Sequence, residues 1–167
     1  MTKGQLDPAI RRAIAQGTVG LSAAHLDSIE TGLLLMRTAR DAYALLDRHF
    51  ARYGLSQGRF ALLMQLSLHG GELCPCELAA RTNVSRATVT GLLIGLERAG
   101  LVERVDRRGD RRLRAVRLTA AGEACLKNLL PDHFRRLADL LADLTPAERQ
   151  CLQAILAKID RRAASLR

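Results

Sequence analysis

Between Cys76 and Thr119 the chain switches from helical to alternating hydrophobic spacing at a single glycine, and this switch limits the possible folds more than any other feature. The run Cys76-Glu77-Leu78-Ala79 opens a short helix with Leu78 and Ala79 on its inner face, and Val84 is expected to plug the turn after Asn83. Ser85 is placed to cap a second helix, in which Val89, Leu92, Leu93 and Leu96 make an i, i+3, i+4, i+7 apolar stripe. The opposite face carries Arg86, Thr88 and Thr90, short polar or cationic groups. Gly100 is a natural left-handed stop. Beyond it, residues 101–105 alternate as a half-buried strand does. Gly109-Asp110 supplies turn chemistry, and residues 113–118 return as a second strand with Val116 and Leu118 inward.

Helix, turn, helix and charged hairpin is the order of parts in a winged helix-turn-helix. The same stretch holds ten arginines and five acids, so more than half of the chain's formal +9 charge lies in about a quarter of its length. A solvated arginine-rich loop is the plain alternative. Seven arginines between Arg104 and Arg117, beside a helix-turn-helix, point instead to phosphate and minor-groove contact. Ser85, Arg86, Thr88 and Thr90 are the candidates for major-groove and phosphate contacts, and Arg108, Arg111 and Arg112 for the wing. Asp110 is expected to brace Arg112, because a carboxylate is repelled by phosphate. Arg98 and Arg104 read as backbone contacts or solvated charges.

Three linked motifs make the chain resemble the MarR family of dimeric bacterial transcription regulators. They are Cys76-Glu77-Leu78-Ala79, the run from Val84 through Leu92, and Leu96-Glu97-Arg98-Ala99-Gly100-Leu101-Val102. The family's wing pattern, Asp-x-Arg, five residues, Leu-Thr, is met by Asp110, Arg112, Leu118 and Thr119. Ile94 and Gly95 depart from the family, which commonly places polar or charged residues there. A glycine inside a helix costs about 1 kcal/mol relative to alanine unless close packing requires it. The resemblance implies a homodimeric repressor on a pseudo-palindromic double-stranded DNA operator. It also implies a small aromatic or anionic effector in a crevice between the dimerisation helices and the winged domain. Arg40, Tyr43, Phe60 and Met64 are the candidates for its lining.

The fold expected is mainly α with a small β-hairpin wing, a winged helix-turn-helix joined to a helical dimerisation region. Residues 1–21 form an N-terminal arm in which Asp7-Pro8 starts a short helix. Residues 22–54 and 120–167 form the dimerisation region, and residues 55–119 the DNA-binding domain. In the first long helix the stripe Leu26, Ile29, Leu33, Met36, Tyr43, Leu46, Phe50, Tyr53 is interrupted by Arg40. A guanidinium on that face needs an ion pair, a route to water or an anionic ligand. Ser56 begins the next helix, with Phe60, Leu63, Met64 and Leu66 or Leu68 inward. Thr119 and Thr145 cap two C-terminal helices too rich in Leu and Ile for a small winged domain to cover, and a partner subunit is the natural cover.

Cys74-Pro75-Cys76-Glu77 repeats the grammar of Thr145-Pro146-Ala147-Glu148, which puts Cys74 at an N-cap. A thiol there faces the positive end of a helix dipole, so Cys74, with Cys76 beside it, is the redox-sensing candidate. Glu72 and Glu77 oppose thiolate formation, and an incidental small residue is the alternative. Cys125 and Cys151 read as buried small hydrophobes, and His25, His49 and His133 as surface or edge residues. Cys74, Cys76 and His69 match no common zinc spacing, and no motif calls for a cofactor. No nucleophile motif, phosphate-binding glycine loop or carboxylate pair supports an enzyme. With no 18-residue apolar run and no signal sequence, a cytoplasmic location is expected, away from any membrane. A constitutive winged-helix DNA-binding or architectural protein without an effector would share every motif. Release of DNA by a small molecule or by thiol oxidation is what separates the two.

Overall fold

Among the described residues, four helices open on a hydroxyl that caps them. Ser56, Ser85, Thr119 and Thr145 accept from the backbone N–H groups of Arg59, Thr88, Gly122 and Glu148 respectively. The structure, a computed structural model, describes residues 8–17, 22–106 and 114–166. Its elements are α1 (Pro8–Gly17), α2 (Ala23–Ala51), α3 (Gln57–Leu68), β1 (Glu72–Leu73), α4 (Pro75–Thr82), α5 (Arg86–Arg98), β2 (Val102–Asp106), β3 (Arg114–Leu118), α6 (Ala120–Leu140) and α7 (Pro146–Ser165). They fall into two compact units, Met1–Arg48 and His49–Arg167. None of the described helices is long and apolar enough to cross a membrane.

In the second unit the apolar stripes converge. Leu62, Leu63 and Leu66 of α3, Leu78 and Ala79 of α4, and Val89, Leu93 and Leu96 of α5 are buried together with Val102, Val116, Leu118, Leu126 and Leu129. Leu66 is the inward residue of its pair, whereas Leu68 is exposed. The sheet has three antiparallel strands in the order β1-β3-β2, with Leu73 opposite Val116 and Val102 opposite Leu118. β1 escaped the sequence reading because two residues are too few to show an alternating pattern. It gives β3 a neighbour on each side, so among the described residues β1 and β2 are the edges.

Left-handed residues close both helices of the helix-turn-helix. Asn83 (φ 55°) closes α4, and Gly100 (φ 69°) turns the chain from α5 into β2. Gly122 answers a different need: a Cβ there would run into the carbonyl oxygen of Leu101, so the first turn of α6 lies directly on the backbone after Gly100. Thr119 holds the same junction, its hydroxyl donating to Gly100 O at 2.7 Å and its N–H to Leu101 O at 3.2 Å.

Several sequence expectations are corrected. Val84 does not plug its turn; it is 39% exposed and lines a cleft of about 200 Å³ with Gly58, Ala61, Leu62 and Leu92. His49 and His133, expected at the surface, are only 2% and 6% exposed. Cys151 is exposed rather than buried, because none of the described residues of α7 is buried. In the first unit Met36 and Tyr43 stand open on α2, and Arg40 pairs with the adjacent Asp41 at 3.2 Å. The expected first helix is present as α1, but Asp7 lies outside the described residues.

Candidate nucleic-acid interface

Burial of Val89, Leu93 and Leu96 fixes which side of α5 faces out. With 3.6 residues per turn, Arg86 and Thr90 lie on one flank of the outward face, Ala87, Gly91 and Ile94 along its middle, and Thr88 and Gly95 on the other flank. All seven lack a long apolar side chain except Ile94, which is exposed. The surface is therefore shallow enough for the helix backbone to approach a groove floor closely.

The polar groups on this face are partly committed. Ser85 Oγ accepts the Thr88 N–H at 3.1 Å and lies 2.8 Å from Thr88 Oγ1, so both hydroxyls are oriented by the cap. Thr90 Oγ1 donates to Arg86 O at 2.9 Å, which leaves its lone pairs pointing outward. Arg86 makes no ion pair among the described residues and is exposed at the first position of the helix. A guanidinium in that place is available to an anion.

At the root of the wing two of the seven arginines are taken. Arg104 binds Glu97 through Nε at 2.6 Å, tying β2 to α5, and Arg117 binds Glu103 across the β2–β3 ladder at 2.7 Å. The hydrogen bond to Glu103, and then its charge, raise the pKa of Arg117 above its ordinary value. Arg104 is thus an ion-paired side chain rather than a freely solvated charge. Arg108, Asp110, Arg111 and Arg112 lie outside the described residues.

Arg59, which the sequence reading did not single out, belongs to the same surface. A Cβ built on Gly95 would fall 2.6 Å from Cζ and 2.7 Å from Nε of Arg59, so the guanidinium lies in the space the glycine leaves on the outer flank of α5. The sequence carried half of this signal, a helix-interior glycine that only close packing justifies. Which side chain filled the gap was not readable from spacing.

The effector candidates fall in both units. Arg40 and Tyr43 are exposed on α2 in the first, while Phe60 and Met64 are half-buried in the second. Phe60 stacks on Phe50 at 4.6 Å between ring centroids and meets His133 at 4.8 Å, so it is a packing residue of an aromatic and histidine cluster. His49 lies 6.2 Å from His133 in that cluster, and Asp132 Oδ2 comes within 3.3 Å of its Nδ1 without a hydrogen bond. Burial lowers the pKa of both rings, and the Arg136 guanidinium lowers that of His49 further. The hydrogen bond from Arg136, more than its charge, holds the Asp132 carboxyl below the usual range.

Cys74 is the N-cap of α4, as expected, and its N–H donates to Glu77 Oε2 at 2.6 Å. Its residue is 2% exposed, whereas Cys76 is half-buried. His69 Nε2 lies 2.7 Å from Arg81 Nη1, and among the described residues no group of His, Cys, Asp or Glu is arranged to hold a metal.

The MarR family model matches residues 53–113. The chain is 36% identical over 130 residues to the HTH-type transcriptional repressor YetL of Bacillus subtilis, covering 77% of this chain and 78% of that protein. A solved MarR family transcription regulator superposes with a TM-score of 0.76 at 26% identity, covering 86% of this chain and 95% of the other. BpsR of Bordetella bronchiseptica, whose DNA binding is regulated by 6-hydroxynicotinic acid, superposes with a TM-score of 0.69 at 25% identity, covering 78% and 98%.

Proposed function

Because this chain belongs to the MarR family of transcriptional regulators, we propose that it is a homodimeric repressor reading a pseudo-palindromic DNA operator with the α5 of each subunit. The observation that carries this reading is the outward face of α5. It is shallow, it is fringed by Arg86, Thr88 and Thr90, and it is rigidly backed by three buried side chains. Ser85 and Arg86 sit at the helix N-terminus, where the dipole and the guanidinium act together on a phosphate. Thr88 and Thr90 reach base edges, while Arg108, Arg111 and Arg112 enter the flanking minor groove with Asp110 bracing Arg112.

Dimerisation assigns residues 22–54 and 120–167 to the seam and residues 55–119 to DNA. The exposed Ile155, Leu156 and Ile159 of α7 and Met36 of α2 support it, since such a set in one chain calls for a covering surface. A ligand that alters the distance between the two α5 helices prevents simultaneous engagement of both half-sites, and affinity falls. The effector in this reading is a small anionic or aromatic molecule; Cys74, closed to solvent, is a poor target for an oxidant. The exposed Arg40 guanidinium offers an anion contact.

Fluorescence anisotropy on DNA from the region upstream of the chain's own gene, against a scrambled duplex, tests the reading. Selective binding is expected, with Arg86→Ala costing about 1–3 kcal/mol and Arg112→Ala lowering the salt slope by about 0.9 for each phosphate it no longer neutralises. Unchanged curves for both variants would remove α5 and the wing from the interface.

A further inference from the structure

We propose that Arg59 of α3 is a DNA-backbone contact, delivered to the edge of the reading surface through the notch at Gly95. The proposal rests on the DNA-binding reading above and adds a residue from outside the recognition helix and the wing. Arg59 is held at its base: it is the third residue after the Ser56 cap, its N–H donates to Ser56 Oγ, and it is half-buried. From there its guanidinium reaches across to α5 and occupies the space where Gly95 has no side chain. Thr88 and Gly95 stand at i and i+7, so the guanidinium lies along the same row as Thr88, on the flank opposite Arg86.

Arg59 makes no ion pair among the described residues, unlike Arg104 and Arg117. A guanidinium without a carboxylate, on a half-buried residue and set at the rim of a surface that faces a polyanion, suits a phosphate oxygen. Together Arg86 and Arg59 place one cation on each flank of α5, matching the phosphate rows that border a major groove. The same arrangement explains the helix-interior glycine: any larger residue at position 95 would push the guanidinium away.

The test measures anisotropy of the full chain on upstream DNA across a salt series for wild type, Arg59→Gln, Arg59→Lys, Gly95→Ala and the Arg59→Gln/Gly95→Ala double variant, with thermal melting of each. Arg59→Gln is expected to weaken binding on the order of tenfold and to lower the salt slope by about 0.9 per subunit, and Arg59→Lys to retain the slope. Gly95→Ala displaces only the far end of a flexible side chain. It should therefore melt no lower than wild type while binding DNA as weakly as Arg59→Gln, and the double variant should be no worse than either single one. Weaker binding by Arg59→Gln at an unchanged salt slope would make Arg59 a brace for α5 and overturn the proposal, as would unchanged binding. A further loss from Gly95→Ala in the Arg59→Gln background would overturn the notch. Failure of the wild-type chain to select upstream DNA would instead defeat the underlying reading.

Discussion

At Gly122 and at Gly95 the missing side chain is replaced by an atom from elsewhere, but the two replacements differ in what can yield. The Leu101 carbonyl oxygen beside Gly122 belongs to the backbone that turns α5 into β2, so it cannot move without disturbing the Thr119 hydrogen bonds at the same junction. Gly122→Ala should therefore lower stability by about 1–3 kcal/mol despite alanine's better helix propensity, read as a drop in melting temperature. An unchanged melting temperature would contradict the close approach. The Arg104–Glu97 pair is more exposed, and Arg104→Ala should cost no more than about 1 kcal/mol in the same assay. Residue-scale features of this kind were only half legible in the sequence. A glycine in a helix advertises that something lies close, as Gly95 did, but the occupant comes from a segment dozens of residues away. Val84 failed for the complementary reason: an apolar residue after a turn was assumed to fill it, whereas the cleft it lines stays open.

Among the elements, caps and periods were readable because they are local. Ser56, Ser85, Thr119 and Thr145 begin the helices predicted for them, and Val89, Leu93 and Leu96 face inward as their spacing requires. The two buried histidines were missed although each stands at a stripe position, His133 seven residues after Leu126 and His49 three after Leu46, because their polarity outweighed their place. Their burial has a pH consequence for the packing of α6 against the C-terminal turn of α2 and the start of α3. Both rings have pKa values lowered in the fold, chiefly by loss of solvent, so below about pH 6.5 the unfolded chain binds protons that the folded chain refuses. Stability is complete above that value and declines as pH falls toward the lowered values. At more acidic pH Asp132 acts in the same direction, since its depressed pKa contributes stability that is lost as the carboxylate protonates. Urea midpoints at about pH 7.5 and about pH 5.5 should differ, the acid one being lower, and His133→Leu should narrow the gap. Equal midpoints at the two pH values would contradict this account.

For the whole molecule, charge and apolar surface divide the labour. Positive charge is concentrated around α5 and the wing, and exposed aliphatic side chains are concentrated on α7 and, in the other unit, on α2, which fits DNA at the first and contact with a second subunit at the others. The chain's aliphatic composition made the helical architecture legible. The proposed partner subunit has one sign in the sequence, an excess of Leu and Ile that a small domain has no room to bury. If α7 forms the proposed seam, replacing Ile155 and Ile159 together by Asp should give a monomer by light scattering where wild type is a dimer, and weaken operator binding at least about tenfold, since each half-site then binds alone. A variant that stays dimeric would move the seam off α7. The claim that two copies of α5 read one operator is tested most directly by hydroxyl-radical footprinting of the wild-type protein on its upstream DNA. The account predicts two protected patches about one helical turn apart, flanked by minor-groove protection from the wings. A single patch, or uniform protection without a centre of symmetry, would contradict it.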